Sequence, residues 1–226
     1  MKIGILQTGL ASDEMRTALG EIDHLFHDLL SGQGFEFQTW RVCEMDFPET
    51  VEDAGAWIIT GSKHGVYEDL PWIPPLERFI RTAHAHKRRI VGICFGHQIV
   101  AQALGGRVEK FDGGWTVGRQ TYDWQGEPVH LNAWHQDQVV ERPRDATLLA
   151  SSPSCENAAL VYGDTILTIQ AHPEFSGRAI ECLIAARAGT VPPPLISEAT
   201  AHLDAPTDRH EIGAKMARFL KRGELA

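Results

Sequence analysis

Arg89-Ile90-Val91-Gly92-Ile93-Cys94-Phe95-Gly96-His97-Gln98 is the stretch that decides the fold. Its first half is apolar and β-branched without alternation, the pattern of a strand buried on both faces. It runs straight into Gly-x-Cys-x-Gly and then into a helical pattern that reaches Leu104 and closes on Gly105-Gly106. A strand that turns this sharply into a helix is the thiol counterpart of the Gly-x-Ser-x-Gly nucleophile elbow, with glycines leaving room for the turn. The turn sets Cys94 at the C-terminal edge of a sheet, where open α/β sheets place their sites. The N-terminus of the following helix points at the sulfur, and its positive end favours a thiolate. The Phe95 N–H is then free to donate to a developing oxyanion.

Outward from the elbow, strand and helix patterns alternate. Residues 2–8 are a short apolar run ending at Gly9, and Ser12-Asp13-Glu14 offers an N-cap with acids in the first turn. Apolar residues at helical spacing then predict one helix up to Ser31-Gly32-Gln33-Gly34. Strands are expected over 35–42 and 56–60, and a helix near Pro74-Pro75. This alternation predicts an α/β fold: an open, mostly parallel twisted sheet, flavodoxin-like, with helices on both faces. After Arg107 the pieces shorten: strands are expected over 117–124, 129–134, 147–151, 158–162 and 166–170, a small antiparallel addition to the same domain. A helix over 177–187 follows. Thr190-Val191-Pro192-Pro193-Pro194 breaks the chain, and an amphipathic helix covers 208–220. Residues 1–190 therefore read as a catalytic domain and 191–226 as a helical extension packed on it.

A chain of 226 residues can bury a core without metal or disulfide staples. Its net charge of -9 argues against general nucleic-acid binding, which needs Lys and Arg to neutralise phosphates. Cys43, Cys94, Cys155 and Cys182 form no CxxC pair and fit neither a zinc site nor a disulfide framework. No apolar run is long enough to span a bilayer, and MKIGILQTG reads as a buried strand rather than a signal peptide. The expected location is a reducing cytoplasm, with free thiols.

A thiol elbow needs a histidine to carry protons and a third group to hold the imidazole. Among 11 histidines, the useful one stands in Ile166-Leu167-Thr168-Ile169-Gln170-Ala171-His172-Pro173-Glu174-Phe175. His172 follows a strand and would share the Cys94 edge if that strand is parallel and adjacent. Glu174, two residues on, can fold back to fix the tautomer. His24 and His27, at i and i+3, have no matching ligands nearby and read as a solvated face. His84 and His86 do not face one another. His97 reads as scaffold, and His135 as part of a polar turn within reach of a ligand.

Gly92-x-Cys94-x-Gly96-x-Gln98 and Gln170-Ala171-His172-Pro173-Glu174, in that order, resemble the class I (triad) glutamine amidotransferases. The closest resemblance is to the glutaminase domain of GMP synthetases and its stand-alone relatives, over about residues 40–185. Thr60-Gly61-Ser62, the loop from Ser62 to Trp72, and Trp134-His135-Gln136-Asp137-Gln138-Val139 add to it. The resemblance implies that Cys94 forms a γ-glutamyl thioester, that His172 protonates the leaving amine and then activates water, and that Glu174 orients His172. It implies an oxyanion hole at the N–H groups of Gly61 and Phe95. Gln98, with the backbone of Trp134, His135, Gln136 and Asp137, would hold the amino-acid end. Such acyl transfer needs no metal or cofactor. The family often has Gly-Gly-Pro where this chain has Thr60-Gly61-Ser62; no ATP-pyrophosphatase or synthetase domain is expected within these residues, and the segment beyond Pro194 has no counterpart in the family's core motif pattern.

Three functions remain open at this point. A glutaminase could pass ammonia to a separate synthetase subunit, or a stand-alone γ-glutamyl peptidase could act on γ-glutamyl amides or peptides. The third is a non-catalytic redox-sensing or binding protein built on the elbow cysteine. The loop 68–72 and Gly113-Gly114-Trp115 are candidate walls of a leaving-group pocket.

Overall fold

The computed structural model describes residues 1–225. The first four strands are β1 (Lys2–Leu6), β2 (Glu36–Trp40), β3 (Ala56–Ile59) and β4 (Arg89–Ile93). The later ones are β5 (Arg107–Lys110), β6 (Thr116–Trp124), β7 (Glu127–His135), β8 (Asp137–Glu141), β9 (Thr147–Ser152), β10 (Cys155–Tyr162) and β11 (Ile166–Ile169). Nine of them form one sheet in the order β2-β1-β3-β4-β11-β10-β9-β6-β7, while β5 pairs with β8 alone. The pairings from β2 to β11 are parallel, in the spatial order of a flavodoxin-like sheet. Those from β11 to β7 are antiparallel. The antiparallel strands are therefore a wing as large as the parallel half, continuous with it rather than a small appendage.

Helices α1 (Asp13–Leu19), α2 (Ile22–Leu29), α3 (Ile73–Ala85), α4 (Phe95–Ala103), α5 (Gly177–Arg187), α6 (Pro193–Ala201) and α7 (Arg209–Arg222) complete the chain. Successive strand residues point to opposite faces, so one run feeds two cores. Ile3, Ile58, Val91 and Leu167 pack with Phe26 of α2 and Met216 of α7. Leu6, Trp57, Ile90 and Ile166 pack with Leu76 of α3 and Ile99 of α4 on the other face. This is why the parallel strands read as continuous apolar runs.

Two helix expectations change. The single helix over 12–30 is two, because Gly20 takes φ 88° and Glu21 caps the second with its own carboxylate. The proline run does not merely break the chain: Pro193 and Pro194 occupy the first turn of α6, where a missing N–H costs nothing. Residues of α7 such as Ile212, Met216 and Phe219 are buried in the main core.

Candidate active site

Four parallel strands deliver their C-terminal ends to one edge. β4 ends at Cys94, β11 leads to His172, β3 to Gly61, and β1 to Thr8 and Gly9. β4 and β11 are parallel neighbours with Ile93 opposite Ile169, and the Cys94 N–H donates to the Ile169 carbonyl at 2.8 Å.

The elbow carries its strain on the cysteine itself. Cys94 has φ 51° and ψ -102°, a conformation that costs roughly 1–3 kcal/mol and must be held by its surroundings. The flanking glycines serve a different purpose from backbone freedom. A Cβ on Gly92 would lie 2.5 Å from the Gly96 carbonyl oxygen, and one on Gly96 would collide with the Ile59 carbonyl. They let strand, turn and helix close to contact, and the Gly96 N–H bonds the Thr60 carbonyl at 3.1 Å. Cys94 is thus the N-cap residue of α4, at the helix's positive end.

His172 Nδ1 lies 2.7 Å from Glu174 Oε1, both side chains buried. The imidazole stacks on Phe175 at 3.9 Å between centroids with 2° between planes. The wing holds this turn from outside: the His172 N–H donates to the Asn132 carbonyl at 2.8 Å, and Asn132 Nδ2 donates to the Phe175 carbonyl at 3.0 Å. Arg209, from the start of α7, donates to the carbonyls of Pro173 and Glu174. Burial alone would lower the His172 pKa, but the negative charges of Glu174 and Cys94 outweigh it and raise it to about 10.

Gly61 is the point of closest backbone approach: a Cβ there would sit 2.8 Å from His172 Cε1 and 3.6 Å from Cys94 Cβ. Among the described residues neither the Gly61 nor the Phe95 N–H has an acceptor. Thr60-Gly61-Ser62 is tied to β1 instead of being stiffened by proline. The Thr8 N–H donates to Thr60 Oγ1, Thr8 Oγ1 bonds the Gly61 carbonyl, and Ser62 Oγ donates to the Thr8 carbonyl at 2.8 Å.

Two cavities meet over this edge. The first, about 710 Å³ of empty space, is lined by Cys94, Gln98, Trp134, His135, Gln136 and Asp137, with Tyr67, Glu68 and Lys110. Gln98 Nε2 donates to the Asp137 carbonyl at 2.9 Å and to Gln170 Oε1 at 3.1 Å, tying α4 to both β8 and β11. The Tyr67 hydroxyl donates to Asp137 Oδ2, and burial with that carboxylate raises the Tyr67 pKa to about 12. The second cavity, about 560 Å³ of empty space with its open mouth included, is lined by His172, Glu174 and Gly61 and is otherwise mostly apolar. Ser62, Lys63, Trp134 and Arg187 line both.

The cavities thus bring together Cys94, His172, Glu174, Gly61, Gln98 and residues 134–137, while Phe95 faces the core with Trp72 at 5.3 Å. His135 is not in a polar turn. It ends β7, is buried, and has both ring nitrogens without a partner among the described residues. Burial, then the neighbouring His172, lowers its pKa to about 3. His97 is scaffold, buried with Nδ1 2.8 Å from Thr168 Oγ1. His27 stacks on Phe37, and among the described residues no three His, Cys, Asp or Glu side chains gather to hold a metal. Trp115, Tyr67 and Glu68 wall the first cavity, whereas Trp72 is buried in the core. The sequence reasoning missed Thr8, Asn132, Arg209 and Arg187. Only Thr8, at a strand's C-terminal end, carries a local signal.

Residues 19–186 match the Glutamine amidotransferase class-I family. The chain is 32% identical over 181 residues to Gamma-glutamyl peptidase 4 of Arabidopsis thaliana, covering 73% of this chain and 72% of that protein. It is 30% identical to a putative glutamine amidotransferase-like protein of Schizosaccharomyces pombe, over 96% of this chain and 98% of the other. A solved glutamine amidotransferase from Methylobacillus flagellatus shares the fold, with a TM-score of 0.76 over 97% of this chain and 91% of that one, at 22% identity. The chain belongs to the class-I glutamine amidotransferase family.

Proposed function

We propose that Cys94, His172 and Glu174 form the catalytic triad of an enzyme that hydrolyses the γ-amide of glutamine or of γ-glutamyl compounds. The observation that carries this is the strained cysteine beside a buried His–Glu pair, 2.7 Å apart, at adjacent parallel strand ends. The thiolate attacks the γ-carbonyl. Charge on the oxygen falls to the N–H groups of Gly61 and Phe95, where one well-aimed donor is worth about 2.7–4 kcal/mol in the barrier. The His172 imidazolium protonates the departing nitrogen, leaving a γ-glutamyl thioester. The neutral imidazole then takes a proton from water, whose attack releases glutamate and restores the thiol. Glu174 holds the ring tautomer throughout.

Gln98 and the backbone of Trp134, His135, Gln136 and Asp137 hold the zwitterionic end of the glutamyl group in the cavity that also carries both acids and lysines. Residues 191–226 act as part of the same catalytic unit. A glutamine analogue with an electrophilic diazoketone side chain, followed by peptide mass spectrometry, tests the reading. The expected result is one adduct on Cys94, lost with His172→Ala; folded protein left unlabelled at Cys94 overturns it. The peptidase relative and the second cavity favour γ-glutamyl amides with a large leaving group over ammonia transfer to a synthetase subunit. Transfer is read by the opposite result, weak activity alone and a large gain with a synthetase.

A further inference from the structure

The acyl half of the reaction accounts for one cavity and leaves the other without a use. His172, the group that protonates the departing nitrogen, lines that second cavity, which adjoins the Cys94 cavity and offers room for what the nitrogen carries. Ammonia needs no apolar walls, and the surface of this cavity is mostly apolar. Its walls are Leu10, Met15, Ile22, Phe175 and Leu183. The wall is built rather than loose. The Ala11 N–H donates to Glu21 Oε1, and Arg16 donates to the Ala11 carbonyl at 2.8 Å, fixing the 9–11 loop against α1 and α2.

Two cations, Lys63 and Arg187, line both cavities; Lys63 is exposed, and Arg187 is the partly buried one. Arg187, the last residue of α5, lines both cavities and has no ion pair or side-chain hydrogen bond among the described residues. It is only partly exposed, and burial lowers its pKa against the opposing pull of the Cys94 charge. A partly desolvated guanidinium with a free donor fork is a carboxylate receptor.

We propose that this cavity receives the leaving half of the substrate, and that this half is an apolar α-amino acid whose carboxylate pairs with Arg187. The preferred substrates are then γ-glutamyl dipeptides of leucine, methionine or phenylalanine. This rests on the acyl-transfer reading above. In the step, the γ-carbon–nitrogen bond breaks as the carbon–sulfur bond forms, and the His172 proton goes to the nitrogen, releasing the neutral amino group. Water then cleaves the thioester to glutamate, so one water is consumed per dipeptide.

The test compares kcat/KM for γ-glutamyl-leucine, γ-glutamyl-glycine and γ-glutamyl-isopentylamide, which keeps the leucine carbon skeleton without its carboxylate. Leucine should exceed glycine by about 10–200-fold, the range an apolar pocket gives for a few methylenes. The carboxylate should contribute about tenfold or more over the isopentylamide, and Arg187→Gln should erase that difference. Leu10→Glu, at an exposed wall position, should lower the leucine preference without disturbing the core.

The proposal is overturned if glycine and leucine substrates are cleaved alike. It is also overturned if Arg187→Gln costs both leucine-shaped substrates equally, because the arginine would then serve the glutamyl end. Either result leaves hydrolysis at Cys94 standing. If no γ-glutamyl compound is hydrolysed and Cys94 takes no diazoketone label, the acyl-transfer reading itself has failed and the proposal falls with it.

Discussion

The two halves of the sheet divide the labour unequally. The parallel half holds the proposed nucleophile, base and oxyanion donor: Cys94, His172 and Gly61 all stand where β4, β11 and β3 end. The antiparallel wing supplies none of them, yet it brackets all of them. Asn132 of β7 grips the backbone of His172 and Phe175, and residues 134–137 wall the Cys94 cavity. Parallel strands bring several C-terminal ends and helix N-termini to one line, which suits developing negative charge. Antiparallel strands bring continuous side-chain surface, which suits binding. Changes in the parallel half should therefore reach kcat, and changes in the wing should reach KM or stability.

The largest break comes from Cys94→Ala, expected to lower kcat for glutamine hydrolysis by about 10⁶-fold. His172→Ala should cost about as much, and the double change little more, since the residues act as a unit. An unchanged melting temperature would show that the fold is not the cause. Glu174→Gln should lower kcat by about 10²–10⁴-fold, the effect of a lost orienting carboxylate. It also moves a pH limb. Acylation needs the imidazolium, so kcat/KM should fall as pH rises through about 10, where His172 loses its proton. Without the Glu174 charge that descending limb should shift to lower pH. A smaller effect is expected from Gly61→Ala, whose Cβ would press on His172 Cε1 at 2.8 Å. Displacing one oxyanion donor should cost about 10²-fold in kcat with KM nearly constant. A KM change alone would place the oxyanion elsewhere.

The same division explains what could be read from the sequence. The parallel half was legible because each site residue sits at the end of its own apolar run, so local pattern and location coincide. Cys94 between two glycines and His172 two residues before Glu174 are short-range signals. The wing was less so. Its strands are visible as pieces, whereas β5 and β8, which pair only with each other beside it, contribute little to the core, with Val108 and Val139 on their buried faces. That the wing continues the main sheet depends on β10 pairing beside β11, which no local pattern encodes. His135 sits in a polar-looking segment, Trp134-His135-Gln136-Asp137, yet ends a buried strand because tertiary packing encloses it. Arg187 and the Gly9–Ala11 wall meet only through the packing of α1 against α5.

The smallest and broadest prediction concerns acid stability, where the halves contribute alike. His97, on α4 behind the elbow, and His135, at the end of β7, are both buried with pKa lowered to about 3 by burial. Between about pH 6.5 and 3 the unfolded chain binds protons at these positions that the folded chain does not, so stability falls as pH falls. Each group contributes a slope approaching ~1.4 kcal/mol per pH unit. His172 adds nothing there, being protonated in both states. Above about 6.5 its raised pKa acts in reverse: the folded state keeps a proton the unfolded state has lost, and stability falls as pH rises towards 10. Denaturant unfolding at a series of pH values should therefore show maximal stability near pH 6.5. His135→Leu should remove about half of the acid slope, because an apolar side chain of similar size replaces an enclosed ring with no partner. An acid slope unchanged by His135→Leu would mean that the imidazole titrates in the folded wing, and that β7 is open to water where the cavity meets it.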